Sequence, residues 1–419
     1  MCSYGSENLI ALKRLLLVVD YIIQKVVEDI YILRLNDSST KYFEALWGIP
    51  EGVTYNSFVV FTDDRVIVVD GWKKGYEQIY IEALKEVVEP GNINYIIVNH
   101  SEPDHSGTIP TLAKVAKQSL ILGHRMAIEI LRSFYGLEAK YRPVNDGELV
   151  KISEGETLVA HHVPWLHWPD TIVSYFVEKK ALFSCDVFGS YGIPSRVFYE
   201  ELGDDEKRLF NHYAKKYFVN IIGKYVDWVT KNLLKLSSLL NNIEIVAPGH
   251  GPIYKNVETP LSLYRYLGSK AIERRKTVIV YASMYGFTEN IINTLIEEIE
   301  KKGIHPLVFR ITDKNQPVYS ELITELFDAE NIVIGTPNYD SDIYPSIKYV
   351  AELMKAKIPP DNKRIALLSS YGWGAVAARK LNDVLSEKGF RVVDIVEFKG
   401  RPTENTVDFL KRVVEKITQ

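Results

Sequence analysis

The sequence predicts an α/β protein of two domains, and three observations carry that expectation. In the first part of the chain, short apolar runs end in histidines and carboxylates. After residue 275, apolar runs of strand length alternate with helical stretches at the spacing of a doubly wound parallel sheet. The 419 residues are long for one domain and comfortable for two, each able to bury its own core.

The segment Val26-Val27-Glu28-Asp29-Ile30-Tyr31-Ile32 reads as the opening strand and leaves residues 1–24 as an N-terminal extension. In that extension Leu15-Leu16-Leu17-Val18-Val19 follows Lys13-Arg14, as in a signal peptide. Asp20 breaks the run, no small-residue cleavage site follows, and a bilayer span needs about 20 apolar residues. A short amphipathic helix is the expectation. Further on, Ile93-Asn94-Tyr95-Ile96-Ile97-Val98 reads as a buried strand leading into Asn99-His100-Ser101-Glu102-Pro103-Asp104-His105. Three more candidate donors follow strand-like runs: His167 in Leu166-His167-Trp168-Pro169-Asp170, Asp186 after Leu182-Phe183-Ser184-Cys185, and His250 after Ala247-Pro248-Gly249. Strand ends are where side chains from separate parts of a sheet converge.

Seven nitrogen and oxygen donors without a thiolate exceed one tetrahedral zinc and suit two metals sharing a bridging carboxylate. The spacing resembles the metallo-β-lactamase superfamily, an αββα sandwich whose zinc hydrolases usually carry His-x-His-x-Asp-His as first motif. Here position 102 is Glu. A hard anionic oxygen in place of an imidazole favours iron, above all ferric iron, and points to redox chemistry. Taken singly, each motif histidine reads as an ordinary strand-end residue; together with Glu102, Asp104 and Asp186, His100, His105, His167 and His250 read as ligands. His124, His161 and His162 read as surface or supporting histidines, and Trp168 and Asp170 as residues that shape their loop.

In the second half, Thr277-Val278-Ile279-Val280-Tyr281-Ala282 is a strand, followed by the loop Ser283-Met284-Tyr285-Gly286-Phe287-Thr288 and a helix start at Glu289. This resembles the flavodoxin phosphate loop, in which hydroxyls and backbone N–H groups at a helix N-terminus surround the phosphate of flavin mononucleotide (FMN) without a cation. Ser283, Gly286 and Thr288 match the pattern Ser/Thr-x-Thr-Gly-x-Thr, while Tyr285 stands where a Thr is common. Further strands are expected near 305–311, 331–337, 364–372 and 392–398, which makes a flavodoxin-like sheet of five parallel strands. Such a sheet binds its ligand over the carboxyl ends of the strands. Pro337-Asn338-Tyr339 and Ser370-Tyr371-Gly372-Trp373-Gly374 end the third and fourth strands with amides, small residues and flat side chains suited to an isoalloxazine ring. The change from helical to strand pattern near 265–276 sets domains at 25–270 and 275–419.

The two halves in this order resemble the flavodiiron proteins, also called A-type flavoproteins, from about residue 25 to the end. That resemblance implies FMN and a non-haem diiron centre, with His100, Glu102 and His167 on one iron, Asp104, His105 and His250 on the other, and Asp186 bridging. It implies cytoplasmic reduction of O2 to water, of NO to N2O, or both, protecting the cell. It also implies a head-to-tail homodimer, or a tetramer, in which the flavin of one subunit meets the irons of the other. Cys2 and Cys185 are the only cysteines, so the chain has neither a disulfide framework nor a Cys-x-x-Cys pair for a rubredoxin iron. Electrons then come from an external donor, a rubredoxin-like protein or reduced deazaflavin F420. A net charge of -4 gives no reason to expect nucleic acid, and no membrane partner is expected. A zinc hydrolase with a regulatory flavodoxin module is the alternative, which Glu102 opposes. A flavin carrier with a silent first domain would show eroded ligands, whereas all seven positions are filled.

Overall fold

The computed structural model describes residues 19–418, which fall into two packed units. One holds the strands up to Lys41, Ile49–Ala214 and Lys235–Pro260; the other holds Tyr42–Gly48, Lys215–Leu234 and the chain from Leu261 on. Among the described residues no helix is long and apolar enough to cross a membrane.

The first unit contains a sheet of seven strands, in the order Asp20–Val27, Ile30–Asp37, Val53–Phe61, Val66–Val69, Tyr95–Val98, Leu120–Gly123, Lys140–Pro143. A second sheet of five orders Glu148–Ser153, Glu156–His162, Ile172–Phe176, Ala181–Cys185 and Ile245–Pro248. Phe58, Val60, Ile67, Val69, Ile97 and Leu122 of the first sheet share one core with Leu158, Ala160, Ile172, Phe176, Phe183 and Ala247 of the second. The two-residue spacing of Phe58 and Val60, and of Ile67 and Val69, is that of one face of a strand. Because the outer faces are covered too, Val53–Phe61 is buried along nearly its whole length rather than alternately.

One element differs from its sequence expectation. The stretch 26–32 is not a single opening strand but the joint of an antiparallel pair, Asp20–Val27 with Ile30–Asp37, turning at Glu28-Asp29. Asp29 takes φ 67°, a left-handed conformation that Asp tolerates better than most residues, and the two acidic residues interrupt the apolar run. Residues 20–24, expected ahead of the sheet, are therefore in it. Residues 1–18, which hold most of the segment expected as an amphipathic helix, lie outside the described residues.

In the second unit the parallel strands order Leu307–Ile311, Glu273–Ala282, Ala329–Tyr339, Arg364–Tyr371, Val392–Lys399, with a short antiparallel strand, Asp342–Ile343, added against Asn338-Tyr339. The connections leave Glu273–Ala282 towards one side and then the other, so a switch point lies between that strand and Ala329–Tyr339. The helices Phe287–Glu300 and Glu404–Thr418 bury Ile291, Ile292, Leu295, Leu410 and Val413 on one face of this sheet. Specific polar contacts tie the two earlier segments into this unit: Lys215 pairs with Asp328 at 2.7 Å, Asn220 donates to the Ser320 carbonyl at 3.2 Å, and Ser320 Oγ donates to the Gly48 carbonyl at 2.6 Å.

Phe183 is the hinge of the sandwich core, with its ring centroid 5.0 Å from Phe58 and 5.4 Å from Phe176. Phe183→Ala is expected to lower the stability of the first unit by about 3–5 kcal/mol, read as a shift of its denaturant midpoint.

Candidate metal centre

Four chain segments deliver the seven predicted donors to one end of the sandwich. His100 lies two residues past the strand Tyr95–Val98, and Pro103 starts a single helical turn, Pro103–Ser106, that presents Asp104 and His105. Pro suits that first position, where a missing N–H leaves nothing unsatisfied. His167 lies in the loop between Glu156–His162 and Ile172–Phe176, Asp186 directly follows Ala181–Cys185, and His250 follows Ile245–Pro248. Gly249 is required by packing, since a Cβ there would stand 2.6 Å from Cε1 of His105. His167 is set back from its strand, the fifth residue past His162.

The geometry turns on the two oxygens of Asp186. Oδ2 lies 3.4 Å from Nε2 of His100 and 3.8 Å from Nε2 of His167, and Glu102 Oε2 stands 3.3 Å and 2.8 Å from the same two nitrogens. Oδ1 lies 2.9 Å from Nε2 of His105 and 3.4 Å from Nε2 of His250, with Asp104 Oδ2 3.5 Å and 3.4 Å from those nitrogens. The donors in each of the groups His100, Glu102, His167, Asp186 and Asp104, His105, His250 lie within 4.8 Å of one another. A cation with bonds of about 2.1 Å at angles between 90° and tetrahedral holds its donors about 3.0–3.4 Å apart, so each side of Asp186 fits one ion.

Burial and hydrogen bonds fix the donors. His100 and His250 are fully buried and His105 nearly so, whereas the side chains of Glu102 and Asp104 keep 17% and 13% exposure, so the opening lies on the carboxylate side. His250 Nδ1 donates to the Thr54 carbonyl at 2.6 Å, which leaves Nε2 free of a proton for a metal. The Trp168 ring stands edge-on to His100, with centroids 5.0 Å apart at 85°. In the metal-free protein burial alone would lower the pKa of His250, but its hydrogen bonds to Asp104 and Asp186 lift it to about 10. Burial raises the Glu102 carboxyl, and the hydrogen bonds from His100 and His167 override that and hold it at about 2. Protons thus occupy the place of cations. His124 and His162 stack on each other at 4.1 Å and belong to neither donor group, as does His161.

The second unit carries a cleft of about 450 Å³ over the carboxyl ends of its strands. Of the predicted flavin residues, Ser283, Met284, Tyr285, Phe287, Thr288, Pro337, Asn338, Tyr339, Ser370, Tyr371, Gly372 and Trp373 line it. Gly286 and Gly374 do not: Gly286, at φ 86°, turns the chain into the helix Phe287–Glu300, and the Gly374 carbonyl accepts from Asn338 Nδ2. Asp340 and Gly400 line the cleft without having been expected there. Ser283 Oγ accepts from the Gly286 amide at 3.1 Å, and Thr288 Oγ1 meets Ser370 Oγ at 2.9 Å. The lining contains no Lys or Arg, so a phosphate would be held by hydroxyls and helix amides, as an FMN phosphate is in a site of this kind. Trp373 and Tyr285 are 88% and 83% exposed at its rim.

Residues 53–251 match the family described as ODP family beta lactamase, and residues 279–410 match the flavodoxin family. A variant of a flavo-di-iron protein from Thermotoga maritima shares 31% identity, with 96% of this chain and 98% of that one covered at a TM-score of 0.89. A nitric oxide reductase from Moorella thermoacetica is 26% identical over 364 residues, 86% of this chain and 88% of its own. A rubredoxin-oxygen oxidoreductase from Megalodesulfovibrio gigas is 24% identical over 399 residues, 94% of this chain and 97% of its own.

The shifts set a pH window for the metal-free donor cluster. His250, raised from 6.5 to about 10, contributes stability that is complete below pH 6.5 and is lost as pH rises through 10. Glu102, lowered from 4.5 to about 2, contributes stability that is complete above 4.5 and is lost as pH falls through 2. These two groups therefore contribute most to the chelator-stripped protein between pH 4.5 and 6.5, and the rise in melting temperature on metal loading, which displaces the imidazole protons, is expected to grow as pH increases above that window.

Proposed function

The chain belongs to the flavodiiron protein family, and from that premise we propose that it reduces O2 to water, NO to N2O, or both, at a diiron centre fed by FMN. The observation that carries this reading is the pair of matched donor groups on the two oxygens of Asp186, with Glu102 where zinc hydrolases carry an imidazole. In this assignment His100, Glu102 and His167 would hold one iron, Asp104, His105 and His250 the other, and Asp186 would supply one oxygen to each.

A flavin and two ferrous ions together supply four electrons, the number that takes O2 to two waters, while each pair of NO molecules takes two to become N2O and water. The chain's own residues position and enclose. Asp186 fixes the separation of the two halves. The buried imidazoles and the Trp168 ring keep bulk water from the inner side, and the partly exposed edge between Glu102 and Asp104 is the approach for a diatomic substrate. Ser283, Thr288 and the amides at the start of Phe287–Glu300 would hold the FMN phosphate, and Tyr339, Tyr371 and Trp373 offer flat side chains to its ring.

In the same reading, the diiron domain lies in 25–270, extended at its start by the strand residues 20–24, and the FMN domain in 275–419, with Tyr42–Gly48, Lys215–Leu234 and the chain from Leu261 packed in the unit that holds the latter. The protein works in the cytoplasm as a head-to-tail homodimer, or a tetramer built from it, with the flavin of one subunit serving the irons of the other. The exposed Tyr285 and Trp373 at the rim of the flavin cleft suit such coverage. A rubredoxin-like protein or reduced F420 supplies electrons, and removal of O2 or NO protects the cell.

The test is anaerobic reduction of the purified protein, assay of its iron and FMN, and separate measurement of O2 and NO consumption beside His100→Ala. The expected result is turnover to water or N2O with about two irons and one flavin per chain, and a loss of at least 100-fold in the variant. Zinc in the site and no turnover of either gas would replace this reading with the hydrolase.

A further inference from the structure

We propose that Asp170 is a positioning carboxylate that makes the two halves of the metal centre electronically unequal, leaving the ion held by His100, Glu102 and His167 the harder to reduce. The inference rests on the assignment of the seven donors to two irons.

The ligands themselves are balanced. Each side has two imidazoles, one carboxylate of its own and one oxygen of Asp186. The difference lies behind them. Asp170 is fully buried, and its Oδ2 accepts from the Ser101 amide at 2.9 Å and from Ser101 Oγ at 2.6 Å. The residue next to His100 thus clamps the carboxylate in place. Oδ1 then stands 3.3 Å from Nδ1 of His100, an ion-pair contact between two buried atoms that have no hydrogen-bond partner. With Nε2 of His100 turned to Glu102 and Asp186, the Nδ1 proton faces an anion.

On the other side no carboxylate among the described residues pairs with an imidazole Nδ1: the buried Asp70, whose charge also acts on His105, is tied to the amide and side chain of Asn99. His250 Nδ1 donates to the neutral Thr54 carbonyl at 2.6 Å, and His105 Nδ1 is buried with no hydrogen-bond partner. A buried carboxylate facing an imidazole N–H at this distance stabilises positive charge on the ring more than a neutral acceptor does, and so raises the basicity of that imidazole. A more basic ligand, backed by a negative charge, favours the higher oxidation state of its ion. When one electron enters a diferric centre, it goes to the ion on the Asp104, His105 and His250 side, and the ion on the His100 side stays ferric until the second.

The experiment is a stepwise reductive titration of full-length, 57Fe-loaded protein, followed by EPR and Mössbauer spectroscopy, for wild type, Asp170→Asn and Asp170→Glu. Wild type is expected to pass through a mixed-valent stage with two resolved potentials. Asp170→Asn raises the lower of the two, so that the mixed-valent signal shrinks, while the FMN potentials and the melting temperature of the flavodoxin-like half stay put. Asp170→Glu, which restores the charge, recovers the separation at least in part. In competition with a chelator, Asp170→Asn also loosens one ion about 10- to 100-fold and leaves the other unchanged. Equal shifts of both steps, equal loosening of both ions, or no change in either would overturn the proposal. Wild type decides the matter independently of the variants, since a diiron protein reduced in one unresolved step without a mixed-valent stage also overturns it. Wild type lacking two irons per chain would instead overturn the ligand assignment beneath it.

Discussion

A buried carboxylate placed between four imidazoles is the constraint around which the first half of the chain is organised. Asp186 is nearly inaccessible to solvent, and an isolated charge there would be strongly disfavoured. It is tolerated because His100 and His167 face one oxygen and His105 and His250 the other. That arrangement needs four segments from two sheets to end at one place, within fractions of an ångström. The sandwich supplies it: Phe58, Phe176 and Phe183 lock the sheets face to face, and hydrogen bonds such as Ser101 to Asp170 and Asn56 Nδ2 to the Pro248 and Gly251 carbonyls lock the loops above them.

The second half solves a different problem with a different geometry. FMN is an anion with a flat ring, and the cleft offers it hydroxyls, helix amides and aromatic side chains, without a cation in its lining. Parallel strands buried on both faces make the sheet rigid, and the switch point between Glu273–Ala282 and Ala329–Tyr339 opens the crevice at their carboxyl ends. In the proposed reading one half would store electrons beside an exposed rim, and the other would spend them in a polar pocket open only at the edge between Glu102 and Asp104.

The candidate donors are legible in the sequence because seven residues of the right chemistry follow apolar runs in an order that few arrangements explain. The parallel strands are legible for a similar reason, as runs of Val and Ile between helical stretches. What is not legible depends on distant side chains. Asp170 reads as a loop residue until the fold sets it against Ser101 and His100, some 70 positions earlier. The opening hairpin hides behind the acidic pair Glu28-Asp29, which looks like part of one strand until Asp29 is seen in the left-handed region. Asp340 and Gly400 reach the flavin cleft through turns whose direction no local pattern announces, and the packing of Tyr42–Gly48 and Lys215–Leu234 with the second unit rests on contacts such as Lys215 with Asp328.

The central claim is that Asp186 joins two irons through its two oxygens, and Mössbauer spectroscopy of 57Fe-loaded wild type beside Asp186→Asn tests it most directly. The account predicts two magnetically coupled irons per wild-type chain, and in the variant the loss of one ion or of the coupling. A single ion per chain, or coupling that survives the substitution unchanged, would contradict it.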